Sequence, residues 1–495
     1  MLVAAHEWTL PSDVASGHTA SPRRMATLDN SMRQLYDRLA GGTLDDRAKD
    51  DATAFLRQAL HKGQADPTDL PDSPDGLAAW MHRSAQRAGA IYREYLQARQ
   101  SGSPRRYFQN RAHALYFLRA VAPTKLVDGA WLYGLLAHAQ NPRFTGLIAT
   151  YVEELGEGRT DKNHVLLYRK LLERHGLNPL HGLPDTFYTQ GVLQLALGWN
   201  ADEFLPEIIG FNLGYEQLPL HLLITAYELN ELGIDPYYFT LHITVDNADS
   251  GHAQRAVQAV RGALPRFGDN VSFWRRVQGG CKLSNAGVGT TEVIAGFDMG
   301  REVQNILSRK RMTGQGAHSD YCRMAGRSVN DWLAQPDGIP AFLAALEQAG
   351  WIKRHAPVQE SRFWKLLQGG KAEMFGVFSP YELQVIHDWI RGDASADGQA
   401  QDEAALLPGR RRASFRAQSR LAQHQAGPSN PSHLTMLDAL HDEAPDPDLQ
   451  ALKAELAASL DAEQHRQLLV RAMSPDLHWT PAGLYATRRF MQSIA

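Results

Sequence analysis

The stretch Tyr237–His252, reading YYFTLHITVDNADSGH, sets His242, Asp246, Asp249 and His252 within roughly three helical turns of one another. At about 100° per residue, Asp246 falls about 40° to one side of His242 and Asp249 about 20° to the other, so three metal-competent groups share a helical face. His252 falls about 80° off that line in an ideal helix, and Ser250 and Gly251 before it offer a place for local distortion. A charged stripe ordinarily faces water. Here Tyr237, Tyr238, Phe239, Leu241, Ile243 and Val245 surround His242, which predicts a largely buried element. Carboxylates buried there require a partner or a cation.

Working outward, the chain has 495 residues, 43% of them hydrophobic, enough for one large core or two to three ordinary domains. Fifty-one basic residues against 54 acidic ones leave a formal charge of −3, which argues against nucleic acid or a polyanionic surface as partner. Cys281 and Cys322 are the only cysteines and form no CxxC pair. This excludes a disulfide framework and a thiolate zinc site, and fits a reducing cytoplasm. Without a signal-peptide pattern or an apolar run of membrane-spanning length, the expected location is cytoplasmic and away from the membrane.

Apolar residues recur at three and four along most of the chain, which predicts an all-α fold. Strand signals are confined to short pieces such as VSFW and EVIAG. Residues 1–25 read as a loose arm, 26–265 as the helical core carrying the metal site, 266–392 as a helical and loop extension packed on it, 393–432 as a flexible linker, and 433–495 as a helical tail. The arginine run Arg410, Arg411, Arg412, Arg416 and Arg420 lies in that linker and reads as a solvated charged segment. GVGTT at 287–291 completes no phosphate loop and reads as a turn.

Further metal-competent residues sit in two other helical regions. Glu157 precedes His164 by seven residues and Glu153 by eleven, so either could share its face in a continuous helix. Glu154 joins them only if Gly156 and Gly158 distort that helix. Glu216 and Glu228 interrupt a strongly apolar run, an uncomfortable setting for a carboxylate. Oxygen and imidazole ligands without thiolate suit iron, manganese or zinc, and several bridging carboxylates suit a metal pair.

EELGEGRTDKNHVLLY, LGYEQLPLHLL and YYFTLHITVDNADSGHA together resemble the haem-oxygenase-like non-haem diiron oxidases and oxygenases, also described as iron-containing redox enzymes. The resemblance covers roughly residues 100–265, and more loosely extends to FWKLLQGGKAEMFGVFSPYE. It implies a seven-helix haem-oxygenase-like bundle with additional N- and C-terminal helices, two Fe(II) ions, and dioxygen as co-substrate. It also implies a small amino-acid-like or fatty-acid-like substrate, undergoing N-oxygenation, desaturation or C–C cleavage, and an external electron donor. Carried over residue by residue, the family pattern gives a glutamate of the EELGEG segment with His164, then Glu216, then His242, Asp246 and a final histidine. Many members place that histidine three residues after the aspartate, whereas this chain has Asp249 there and His252 six after. The choices of Asp249 against His252, and of Glu154 against Glu157 or Glu153, stay open, with the family's EExG and GHA patterns favouring Glu154 and His252. Two other readings compete, a metal-dependent hydrolase and a non-catalytic helical scaffold. A homodimer is the oligomeric state to test.

Overall fold

In the computed structural model the described residues are 31–42, 44–180, 182–245, 251–368, 372–392 and 446–494. The expected arm 1–25, the linker 393–432 with its arginine run, and the candidate ligands Asp246 and Asp249 lie outside them.

The fold is all-α. Its first helices are α1 (Ser31–Ala40), α2 (Asp46–Lys62), α3 (Leu77–Gln100), α4 (Arg111–Ala120), α5 (Ala122–Lys125), α6 (Thr145–Glu154) and α7 (His164–Arg174). There follow α8 (Thr189–Trp199), α9 (Leu205–Tyr215), α10 (Leu220–Glu231), α11 (Tyr237–Val245), α12 (His252–Ala263) and α13 (Asn270–Leu283). Then come α14 (Thr290–Ala295), α15 (Met299–Gly314), α16 (Val329–Ala334), α17 (Ile339–Gln348), α18 (Arg362–Leu367) and α19 (Pro380–Arg391). The C-terminal helices are α20 (Pro447–Ala458), α21 (Ala462–Ala472) and α22 (Pro481–Ile494). Among the described residues the only strands are a two-residue pair, Arg323–Met324 against Arg327–Ser328. The β-leaning segments VSFW and EVIAG are helical, in α13 and α14: Asp269 caps the first by accepting from the Ser272 amide, and Glu292 closes a capping box on the second. Tertiary packing and caps override local β-propensity there. No described helix is long and apolar enough to cross a membrane.

Apolar side chains gather in two clusters. One draws on α1, α2, α6, α8, α9, α12, α13 and the C-terminal helices, the other on α4, α7, α10, α11 and α14 to α19. α8 and α9 are buried around most of their circumference, as their apolar composition requires. α13 lies directly on α9 because two glycines remove the side chains between them. A Cβ at Gly210 would stand 1.9 Å from the Val277 carbonyl oxygen, and one at Gly280 would stand 2.0 Å from that of Glu207.

Two buried polar residues of the second cluster have structural roles. Glu228, fully buried on α10, accepts the Tyr95 hydroxyl (2.7 Å) and the backbone amides of Arg106, Tyr107 and Phe108, so its carboxylate anchors the chain entering α4. His175, at the C-terminal end of α7, is buried with no hydrogen-bond partner on Nε2. Burial, helped by Arg111 and Arg174, pushes its imidazole down from 6.5 to about 3. The unfolded chain therefore binds a proton there that the folded chain rejects, and stability contributed by neutral His175 is complete above pH 6.5 and falls as pH drops toward about 3. A His175→Leu variant should show a shallower loss of melting temperature across that window. An unchanged slope would show that His175 does not contribute to it.

Candidate metal centre

Candidate ligands from both apolar clusters converge where the clusters meet. His164 opens α7 and His242 lies on α11, while Glu154 ends α6, Glu216 follows α9 and His252 opens α12. Asp128, between α5 and the 3-10 segment Ala130–His138, joins them. All six are buried. They form two groups, each with ligand atoms within 4.8 Å of one another: Asp128, Glu154, His164 and His242, and Glu154, Glu216 and His252. Glu154 belongs to both.

The first group depends on a break between α6 and α7. Gly156, Glu157 and Gly158 all take positive φ (64°, 55° and 75°), folding the chain into a 3-10 turn immediately after Glu154. A Cβ at Gly156 would stand 2.2 Å from the Asn163 amide nitrogen, so glycine is what lets the two ends of the turn meet. Helical spacing thus does not apply between 154 and 164, and Glu157 is not brought to the site. It is partly exposed and pairs with Lys162 at 3.3 Å. Glu153, the neighbour of Glu154 on α6, reaches Arg255 and the outer nitrogen of His252. His252 likewise opens a helix separate from α11, with extended backbone at Gly251, so the count of turns from His242 does not fix its direction.

The turn is held from the C-terminal end of the chain. Asn163, fully buried, accepts the Leu166 amide at the N-terminus of α7 and donates toward the Leu155 carbonyl (3.1 Å), the His478 carbonyl (3.3 Å) and His478 Nδ1 (3.2 Å). Arg488 of α22 donates to the Gly158 carbonyl, and the Tyr151 hydroxyl donates to that of Met473 (2.6 Å). Burial and Arg169 push the His478 imidazole down to about 3, so it stays neutral beside the site.

Hydrogen bonds fix which imidazole nitrogen faces inward. His242 Nδ1 donates to the Tyr238 carbonyl (2.8 Å), which turns Nε2 toward Asp128 Oδ2 at 3.2 Å. His252 Nε2 donates to Glu153 (2.9 Å), which turns Nδ1 toward Glu216 Oε2 at 3.0 Å and Glu154 Oε1 at 3.5 Å. In a neutral ring each inward nitrogen is a lone pair confronting a carboxylate oxygen, so each pair calls for a proton or a metal cation between its members. His164 Nδ1 stands 2.5 Å from Glu154 Oε2 but is not aligned to donate to it, and both atoms, like Glu216 Oε1, are buried without a hydrogen-bond partner. Close approach without hydrogen-bond alignment suits two ligands of one ion.

The charges agree. Burial opposes the Asp128 carboxylate, but Lys125 with His242 and His164 outweighs it and holds the group well below the usual range. Burial also opposes charge on Glu154, and His164 prevails over it. His164 is raised in turn, burial again opposing, while burial and the His164 charge lower His242. Glu153, despite partial burial, is lowered to about 2 by Arg255 and His252. Three imidazoles and three carboxylates with no thiolate fit iron. Cys281, on α13, is a buried thiol pushed up to about 12.

Asp128 was not among the residues expected from the sequence, although it breaks an apolar run as Glu216 does. Residues 115–279 match the family model described as an iron-containing redox enzyme, a span running from α4 into α13 that holds all six converging residues. No curated protein and no solved structure matches the chain significantly. The match supports a likeness of residues 115–279, about a third of the chain, to the haem-oxygenase-like iron-containing redox enzymes.

Proposed function

We propose that the chain is a non-haem diiron oxidase or oxygenase that uses dioxygen and an external electron donor to oxidise a small metabolite. The observation that carries this reading is the double membership of Glu154, which presents Oε2 to His164 and Oε1 to His252. One carboxylate serving two ligand groups is the arrangement a metal pair uses. Asp128, His164 and His242 would hold one iron, Glu216 and His252 the other, and Glu154 would bridge. Two Fe(II) ions in such a site supply electrons with which dioxygen is activated. The chain supplies the rest: Glu153, itself held by Arg255, keeps the proton of His252 on Nε2, and the Tyr238 hydroxyl donates to Asp128 (2.6 Å) and fixes its rotamer. Tyr168, Tyr215 and Tyr238 exclude bulk water around these groups, and burial keeps all three phenols protonated.

Anaerobic Fe(II) titration should saturate at about two equivalents per chain. Mixing with oxygenated buffer should then produce a transient absorption change and consume dioxygen, and His242→Ala should abolish both. A protein that takes up no iron, or one that takes up metal and turns over without dioxygen as a hydrolase would, overturns the proposal. Manganese and zinc titrations run alongside identify the preferred ion.

A further inference from the structure

We infer that Lys125 is the anchor for a carboxylate on the substrate, an inference that rests on the proposed metal site and names what binds beside it. Lys125 ends α5, three residues before Asp128, and its side chain is 19% exposed. Its ammonium lies 5.7 Å from the centre of the Tyr215 ring and 5.8 Å from that of Tyr238, and both faces hold it by cation–π attraction. Its nearest carboxylate among the described residues is Asp128 Oδ2, at 3.8 Å, too far for a hydrogen bond. No hydrogen bond to the ammonium forms among the described residues, so its three donors find no acceptor there within the protein.

Asp128 does not supply one. It already accepts the Tyr238 hydroxyl and faces His242, and as a metal ligand its charge would be committed to the cation. Loading the site with divalent metal therefore leaves Lys125 as an extra positive charge beside it, and a recessed cation of this kind calls for an anion. Lys125 and, on α10, His221 are partly exposed, so the ammonium is open to an anion from solvent. A substrate carboxylate on the ammonium would sit next to the ligand Asp128, with the rest of the molecule toward the metal groups. Lys125 is then a specificity-determining residue that selects for an acid over the matching alcohol.

The test uses Fe(II)-loaded protein under anaerobic conditions, with iron counted in every sample and binding followed by equilibrium dialysis. Decanoate and L-norleucine are the acidic probes, and decanol and norleucinol their uncharged-end counterparts. At least one acid should bind wild-type protein about tenfold or more tighter than its alcohol, consistent with a charge-assisted hydrogen bond. Lys125→Met should weaken that acid about 10- to 100-fold while leaving the alcohol and the iron content unchanged, and Lys125→Arg should restore most of the loss. Which acid binds distinguishes an acyl chain from an amino acid as the carboxylate's source. Failure of both acids to bind, or an equal effect of Lys125→Met on acid and alcohol, overturns the inference while an intact iron count leaves the metal site standing. Absence of iron from the wild type removes the reading beneath it.

Discussion

Glu154→Ala should empty the protein of iron, whereas Asp128→Asn or Glu216→Gln should each remove about one of two equivalents. The difference follows from position. Asp128 and Glu216 each belong to one ligand group, and Glu154 belongs to both. Losing a ligand costs more than losing an outer partner, for which 10- to 100-fold in affinity is typical, so a drop of about 100-fold or more at each position is expected for Glu154→Ala. The metal-free protein should not become less stable. Glu154 has a buried oxygen without a hydrogen-bond partner, and removing the carboxylate lets His164 relax to the neutral form that burial favours. Chelator-based iron counting after desalting, paired with melting curves with and without Fe(II), reads both effects. Iron retention in Glu154→Ala equal to that in Glu216→Gln would show that Glu154 does not bridge.

Helices and buried ligands were legible in the sequence to different degrees. Periodicity finds α3, α7 and α12 because each has one face in an apolar cluster and the other toward solvent, which leaves a 3.6-residue pattern. Glu216 and His242 stand out as polar groups inside apolar runs, and His164 is reached through its spacing from the EELGEG glutamates and the family pattern. Asp128 carried the same signal in LVDGAW, but the region reads as one continuous helix and not as the 3-10 segment that starts after Gly129, at φ 83°. Spacing failed wherever the helix stops. The distance from Glu154 to His164 is set by three consecutive positive-φ residues, and the direction of His252 by extended backbone at Gly251. Family resemblance favoured Glu154 and His252 where helical geometry alone favoured neither. The contact between residues 473–494 and the 155–163 turn spans more than 300 positions, and no local pattern carries a contact of that range.

That contact yields the second large expectation: Asn163→Ala should weaken iron binding although Asn163 touches no metal. Its side chain does two jobs. Oδ1 caps α7 one residue before His164, and Nδ2 ties the turn to Leu155 and to His478. Losing an N-cap costs about 1 kcal/mol and stranding a buried acceptor about 1–3 kcal/mol, so a destabilisation of about 2–4 kcal/mol is expected. The same change frees the segment that sets Glu154 against His164, so iron affinity should fall about 10- to 100-fold, the range for partners that orient ligands. Asn163→Asp separates the jobs. Aspartate keeps the cap on Leu166 but cannot donate, and it points a carboxylate at two carbonyl oxygens. If the tie to the C-terminal segment is what positions the ligands, Asn163→Asp should lose iron about as badly as Asn163→Ala. Recovery of full iron affinity by aspartate would reduce Asn163 to a helix cap and leave residues 473–494 without a part in the metal centre.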